Sequence, residues 1–319
     1  MVNVKDLLVN EVPVDDSGVY VVKAIPDEGN EAHTEQAFSD KWTRFSKSED
    51  NLETLDKFQR EWYLKLYGFE SEKALAEYLS TKKVILDAGC GLGYKAAWFA
   101  EVSPNSLVLA MDLSDSVSIG AKRYAELPNL EFIRADIAEA GLKPRTVDYV
   151  SCDQVIHHTD DPHATFDHLS GLLDTGGEFA CYVYAKKAVP RELLDDYFRN
   201  RSMELSRDEL RELSEQVTTL GKTLAALDVK IDVPDIPGLE IKGGTYDLQR
   251  FIYWNFLKCF WRDDWSDEMC VSTNFDWYSP SNAFRYSKEE FLEMPGRNEL
   301  KVSYLHTEEA CHSGRFQRA

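Results

Sequence analysis

Two histidines and four aspartates stand where this chain could do chemistry. His157 and His158 are adjacent, inside the stretch Asp153-Gln-Val-Ile-His-His-Thr-Asp-Asp-Pro162. An imidazole titrates near neutral pH and can take a proton from a hydroxyl or an amine. The plainer role for either ring is structural, as a helix cap or a support for Asp153, and only one of two neighbours easily points at a given site. Asp87, Asp112, Asp136 and Asp153 each follow a short apolar run. An ionised carboxylate only accepts hydrogen bonds, so at such positions it suits hydroxyl and amino groups of a ligand.

The elements that must position these groups are legible around Asp87. Val84-Ile-Leu86 is apolar, β-branched and too short for a helix, so it reads as a buried strand. Asp87 ends it, and Gly89, Gly91 and Gly93 follow at alternate positions. They let the backbone turn sharply and approach a ligand without interference from a Cβ. Lys95-Ala-Ala-Trp-Phe-Ala100 then has helical propensity, so the turn opens a helix N-terminus. Strand, glycine turn and helix make a nucleotide-type binding corner. Leu107–Met111, Phe132–Ile133, Val147–Cys152 and Glu178–Tyr184 read as further strands, with helical stretches between them. That alternation predicts a parallel sheet covered by helices on both faces, with the acids along one edge.

Asp87-x-Gly-x-Gly-x-Gly93, Asp112, Ala135-Asp136 and the Asp153–Pro162 segment resemble the ordered motifs of class I S-adenosylmethionine-dependent methyltransferases. The dinucleotide fingerprint is spaced differently: its third glycine comes three residues after the second, whereas Gly91 and Gly93 are two apart. The resemblance covers about residues 83 to 185, with a looser match at the C-terminus. It implies a seven-stranded Rossmann-like methyltransferase sheet of α/β class and S-adenosylmethionine as cofactor. It implies cofactor contacts at Asp87, Gly89, Gly91, Gly93, Asp112, Ala135, Asp136 and Asp153. Asp87 would meet the methionine end, Asp112 the ribose hydroxyls and Asp136 the adenine amino group. Asp153, His157 and His158 would face the methyl group and its acceptor.

Composition narrows the partners. Lys plus Arg is 36 against 56 Asp plus Glu, a net charge of −20. Such an acid excess repels nucleic acid and anionic membrane surfaces, so neither is an expected partner. Cysteines at 90, 152, 181, 259, 270 and 311 form no C-x-x-C pair, so no zinc site or disulfide framework is read. His306 to His312 holds two acids and two histidines, but at no fixed ligand spacing. No apolar run has transmembrane length and the start lacks a signal-peptide pattern, which predicts a cytoplasmic protein. The oligomeric state is open, with a homodimer among the options.

The rest of the chain frames this core. Residues 1–80 read as an N-terminal extension and helical cap. Phe38, Trp42 and Phe45 cluster, and Leu55, Phe58, Trp62 and Leu66 recur at helical spacing over 52–67. Packing on the core is the favoured role of these rings; the alternative has Trp42 and Tyr63 covering the cofactor. The core proper is 81–186. After Lys187 the alternation stops. Leu210, Leu213, Val217, Leu220, Leu224 and Leu227 predict one apolar stripe on a long helix. Residues 246–286 crowd aromatics with a few polar groups, the composition of a secondary core or of a ligand pocket. The segment 187–284 is therefore read as an inserted lid and substrate subdomain. Trp254 and Tyr278 would be its pocket wall, and Arg250, Arg285 and Arg315 the candidates for an anionic acceptor. Residues 285–319 would complete the sheet with a helix, capped by Ser287 and Glu290, and an antiparallel hairpin.

The reading is a methyltransferase acting on a small polar or anionic metabolite, with no metal. Its rivals are a nicotinamide oxidoreductase, a non-catalytic S-adenosylmethionine-binding protein, and a methyltransferase for protein or RNA.

Overall fold

Runs that are apolar without alternation become strands buried on both faces. Val84–Ala88, buried at every residue, is the middle of the sheet. The computed structural model describes residues 2–23 and 49–319, so Phe38, Trp42 and Phe45 lie outside the described residues. The chain divides into two compact units, 1–185 with 284–319, and 186–283.

In the first unit, α1 (Val4–Leu7) and β1 (Tyr20–Val21) precede a long helix α2 (Glu49–Tyr67) and α3 (Glu72–Leu79). Strands and helices then alternate: β2 (Val84–Ala88), α4 (Tyr94–Val102), β3 (Leu107–Asp112), α5 (Ser116–Arg123), β4 (Leu130–Arg134) and β5 (Val147–Cys152). Helix α6 (Pro162–Leu172) starts on an Asp161 cap with proline in its first turn, and β6 (Leu173–Ala185) follows.

The second unit holds α7 (Val189–Ser202), α8 (Arg207–Ala226), a hairpin of β7 (Lys230–Val233) and β8 (Gly244–Asp247), then α9 (Leu248–Asn255) and α10 (Asp267–Tyr278). Helix α8 begins with a complete capping box between Ser206 and Glu209. Its buried face differs from the leucine stripe. Leu220 and Leu227 are exposed, and Leu210, Ser214, Val217, Thr218 and Gly221 are the buried residues. The reason is close approach: a Cβ on Gly221 would stand 2.4 Å from the Cys259 carbonyl oxygen. Small residues, Ser214, Thr218 and Gly221, therefore share the buried face with Leu210 and Val217.

The chain returns to the first unit through β9 (Arg285–Tyr286), α11 (Lys288–Arg297) with the expected Ser287–Glu290 capping box, β10 (Lys301–Thr307) and β11 (Cys311–Gln317). Among the described residues the sheet has nine strands in the order β1-β4-β3-β2-β5-β6-β11-β10, with β9 beside β6. Strands from β1 to β6 pair in parallel, and β11 and β10 close the edge antiparallel. Seven of these are the Rossmann-like methyltransferase sheet; the other two, β1 and β9, are two-residue additions. Chain order reverses at β2, between β3 and β5, so ligands are expected beyond the C-terminal ends of those strands.

Candidate functional site

The β2 tip carries Asp87, 1% exposed, and the turn beyond it needs glycine for steric reasons. Gly89 has φ +80° and a Cβ there would meet Val155 Cγ1 at 2.4 Å. Gly93 has φ +78° and a Cβ would meet the Phe132 ring at 2.6 Å. The turn therefore lies flat against the segment after β5 on one side and β4 on the other. The Gly89 and Cys90 amides both donate to the Met111 carbonyl, at 2.7 and 2.9 Å, which ties the turn to the β3 tip.

The four acids reach one edge of the sheet. Asp112 Oδ2 accepts from the Gly91 amide at 2.9 Å, and its Oδ1 accepts from the Ser114 amide and hydroxyl. It thus braces the glycine turn while keeping unused lone pairs. Ala135 is fully buried and its amide donates to the Asp112 carbonyl at 3.1 Å. Asp136 caps a short 3-10 turn through the Ala138 amide, and its Oδ2 forms an ion pair with Lys23 at 3.0 Å. Lys23 therefore competes for the atom expected to meet an adenine amino group.

Asp87 and Asp153 face different fates. Among the described residues Asp87 Oδ2 is buried with no hydrogen-bond partner. Burial pushes its carboxyl up to about 6, against the pull of Lys95 and with a further push from Asp153. Asp153 is instead saturated. Its Oδ2 accepts from Lys95 Nζ at 2.7 Å and Gln154 Nε2 at 3.1 Å, and its Oδ1 from the Tyr67 hydroxyl at 2.8 Å. Burial draws the Lys95 ammonium down, but Asp153 and Asp87 outweigh it and hold the group above the ordinary lysine range. All three contacts come from side chains, so Asp153 is engaged within the protein in a holding arrangement.

His157 and His158 form a 3-10 turn, Ile156–His158, after Asp153. The His157 ring is fully buried, with its centroid 3.8 Å from the Tyr184 ring and 4.3 Å from His158. Its carbonyl accepts from the Phe284 amide at 2.9 Å. His158 keeps 7% exposure.

The substrate candidates fare less well. Arg315 forms an ion pair with Glu178 at 3.3 Å and lies over the Phe69 and Tyr78 rings. The Arg315 guanidinium is thus taken up by Glu178, whose carboxylate also accepts from the Tyr78 hydroxyl at 2.5 Å. Arg250 donates to the Trp261 carbonyl at 3.2 Å and packs on Tyr253. Tyr278 is 2% exposed with its hydroxyl on the Lys258 carbonyl, so it is core rather than pocket wall. Trp254 is half-buried, edge-on to Tyr253 with the Lys187 ammonium over its ring. Arg285, half-buried in β9 opposite Tyr184, is likewise engaged. The three arginines therefore do not support an anionic acceptor. Tyr63 is also core: it is 1% exposed and its hydroxyl meets that of Tyr149 at 2.7 Å.

Sequence reasoning missed Lys95, Tyr67 and Gln154. Lys95 had a signal, as the one charge in the otherwise apolar and aromatic start of α4, Tyr94–Ala100. Tyr67 had none, because its partner lies 86 residues away.

Comparison with known proteins agrees with this geometry. A family described as methyltransferase domain matches residues 86–181. An uncharacterized protein of Synechococcus sp. is 26% identical over 140 residues, 43% of this chain and 29% of that one. Malonyl-[acyl-carrier protein] O-methyltransferase 1 of Ilyobacter polytropus is 31% identical over 104 residues, 32% of this chain and 38% of that one. Ubiquinone biosynthesis O-methyltransferase of Coxiella burnetii is 24% identical over 189 residues, 56% of this chain and 76% of that one. The chain spans well under half the length of the first two relatives. A solved structure of magnesium protoporphyrin IX methyltransferase from Synechocystis PCC 6803 is 14% identical with a TM-score of 0.47, covering 91% of this chain and 98% of that one. Residues 86–181 thus match a methyltransferase domain, and the chain is similar to S-adenosylmethionine-dependent methyltransferases in sequence and fold.

Proposed function

We propose that the protein transfers a methyl group from S-adenosylmethionine to a small polar metabolite. The observation that carries this is Asp87. A buried carboxylate whose Oδ2 has no partner among the described residues, set beside a glycine turn at the strand-order reversal, suits a ligand bearing positive charge. S-adenosylmethionine brings a sulfonium and an ammonium. The sulfonium supplies a methyl that leaves without metal assistance. The chain's own contribution is to hold the cofactor through the Asp87, Gly89–Gly93 and Asp112 elements, to orient the acceptor, and to exclude water.

The relatives named as O-methyltransferases favour an oxygen acceptor. A hydroxyl must lose its proton as it is methylated, and His158 is assigned that step. His157, wedged on Tyr184, is assigned a structural role. Nucleic acid is disfavoured as an acceptor by the net charge of −20.

Calorimetry tests the cofactor. S-adenosylmethionine and its demethylated product should bind and NAD should not; tight NAD binding alone sinks the reading. Asp112→Ala should weaken cofactor binding by about 1–3 kcal/mol, since it removes a charged acceptor and frees the Gly91 amide. Incubation of a cell extract with methyl-labelled cofactor, read by mass spectrometry, identifies the acceptor. With that acceptor, His158→Asn should lower turnover by about 10²–10⁴-fold. His157→Asn should lower the unfolding midpoint instead. Full turnover in both variants removes the base and turns attention to sulfur or carbon acceptors.

A further inference from the structure

Lys95 breaks two local rules. It is a cation in the first turn of α4, at the positive end of the helix dipole, and it is 7% exposed. Its neighbour across the site breaks a third. Gln154 has φ +66°, the left-handed region that a side chain with a Cβ enters at a cost of about 1 kcal/mol or more. These departures meet on one carboxylate, because Lys95 Nζ and Gln154 Nε2 both bond Asp153 Oδ2. Two residues of α2 reach the same place: the Tyr67 hydroxyl bonds Asp153 Oδ1, and Gln59 accepts from Gln154 Nε2 at 2.8 Å. Val155, next in the chain, packs where a Cβ of Gly89 would be. Locally unfavourable choices that converge at the tip of a central strand mark a functional position rather than a stabilising one.

We propose that Lys95 is a positioning residue for methyl transfer. By clamping Asp153 it holds the Gln154–Val155 turn against Gly89, sets the His157–His158 segment that follows, and leaves Asp87 as the central carboxylate available to the cofactor's positive charge. The proposal rests on the methyl-transfer reading above. Its physical content is a division of labour. Asp153 has its charge matched inside the protein, and Asp87 has its charge matched by the ligand.

Lys95→Met alone strands a buried carboxylate and weakens the fold, so the informative variant is Lys95→Met with Asp153→Asn, which removes both charges together. Its urea midpoint should return close to that of the wild type. Its S-adenosylmethionine dissociation constant by calorimetry should stay about tenfold weaker. In histidine-selective NMR, the shift of the His158 ring signal on adding S-adenosylmethionine should be lost. A double variant with wild-type midpoint, affinity and histidine response overturns the proposal and makes the pair purely structural. Should the double variant not fold, Tyr67→Phe removes only one neutral donor to Asp153. It should fold, bind S-adenosylmethionine less tightly and show an altered histidine response; an unchanged Tyr67→Phe also overturns the clamp. Wild-type protein that binds no S-adenosylmethionine overturns the methyl-transfer reading together with this one, whereas wild-type binding matched by the variants overturns this one alone.

Discussion

Asp87→Asn is expected to make the fold more stable at neutral pH and the cofactor site weaker. Asp87 is 1% exposed, and its carboxyl is pushed up to about 6 from 3.8, first by burial. A folded-state value above the unfolded one means that the folded chain prefers the protonated form. The carboxyl's contribution to stability is therefore full below the unfolded value and is lost as pH rises through about 6. At neutral pH, holding the charge costs on the order of 3 kcal/mol, since each tenfold change in the protonation equilibrium is worth about 1.4 kcal/mol. Asparagine keeps the shape and drops the charge. Urea unfolding should show a gain of about 1–3 kcal/mol above about pH 7, shrinking to nothing near pH 4. The same change removes the partner of the cofactor's positive charge, so S-adenosylmethionine should bind about ten- to a hundredfold less tightly. Wild-type affinity should fall with pH below about 6, as Asp87 takes up a proton, and the variant's dependence should be flatter. A variant no more stable than wild type at neutral pH contradicts the account of a carboxylate kept charged for its ligand.

The largest stability loss is expected in the second unit, from Arg191→Met. Arg191 Nε bonds both oxygens of Asp195 at 2.8 Å, and both side chains are 1% exposed. The guanidinium also donates to the Tyr253 carbonyl and lies 5.1 Å from the Trp277 ring centroid. Truncation leaves the Asp195 carboxylate buried without its cation, which costs about 3–5 kcal/mol. Adding Asp195→Leu removes the stranded charge and should restore most of the loss, because an apolar pair of similar volume is often neutral or better. Tryptophan fluorescence in urea reads the difference, with Trp254, Trp261, Trp265 and Trp277 all in this unit. A single variant that loses less than about 1 kcal/mol, or a double variant worse than the single, contradicts the burial argument.

Much of the first unit was legible in the sequence because its signals are local. A strand buried on both faces must be a continuous apolar run, so β2, β3 and β5 announce themselves. A turn that needs positive φ and no Cβ must use glycine, so Gly89 and Gly93 announce the corner. The capping box at Ser287 closes within four residues and needs no partner from elsewhere. The acids at the ends of β2, β3 and β5, and just beyond β4, follow from strand ends, which is why Asp87, Asp112, Asp136 and Asp153 could be named beforehand.

Which of these acids is free was decided only by tertiary structure. Asp87 and Asp153 look alike in sequence, each at the end of an apolar run. They differ because Lys95, in the first turn of α4, and Tyr67, from a distant helix, both reach Asp153, while Asp87 Oδ2 has no partner among the described residues. The arginines were misread for the same reason. Guanidinium chemistry is a property of the residue, but whether it faces a ligand depends on what packs beside it, and Glu178 and the Trp261 carbonyl occupy Arg315 and Arg250. The leucine stripe of α8 held only in part, at Leu210 and Val217, because periodicity reports that a helix has an apolar face, not that all of that face is buried. Close approach to the Cys259 backbone selected the face with Gly221 instead. Residue type and spacing set which chemistry this chain can do; long-range packing set which copy of each group is left to do it.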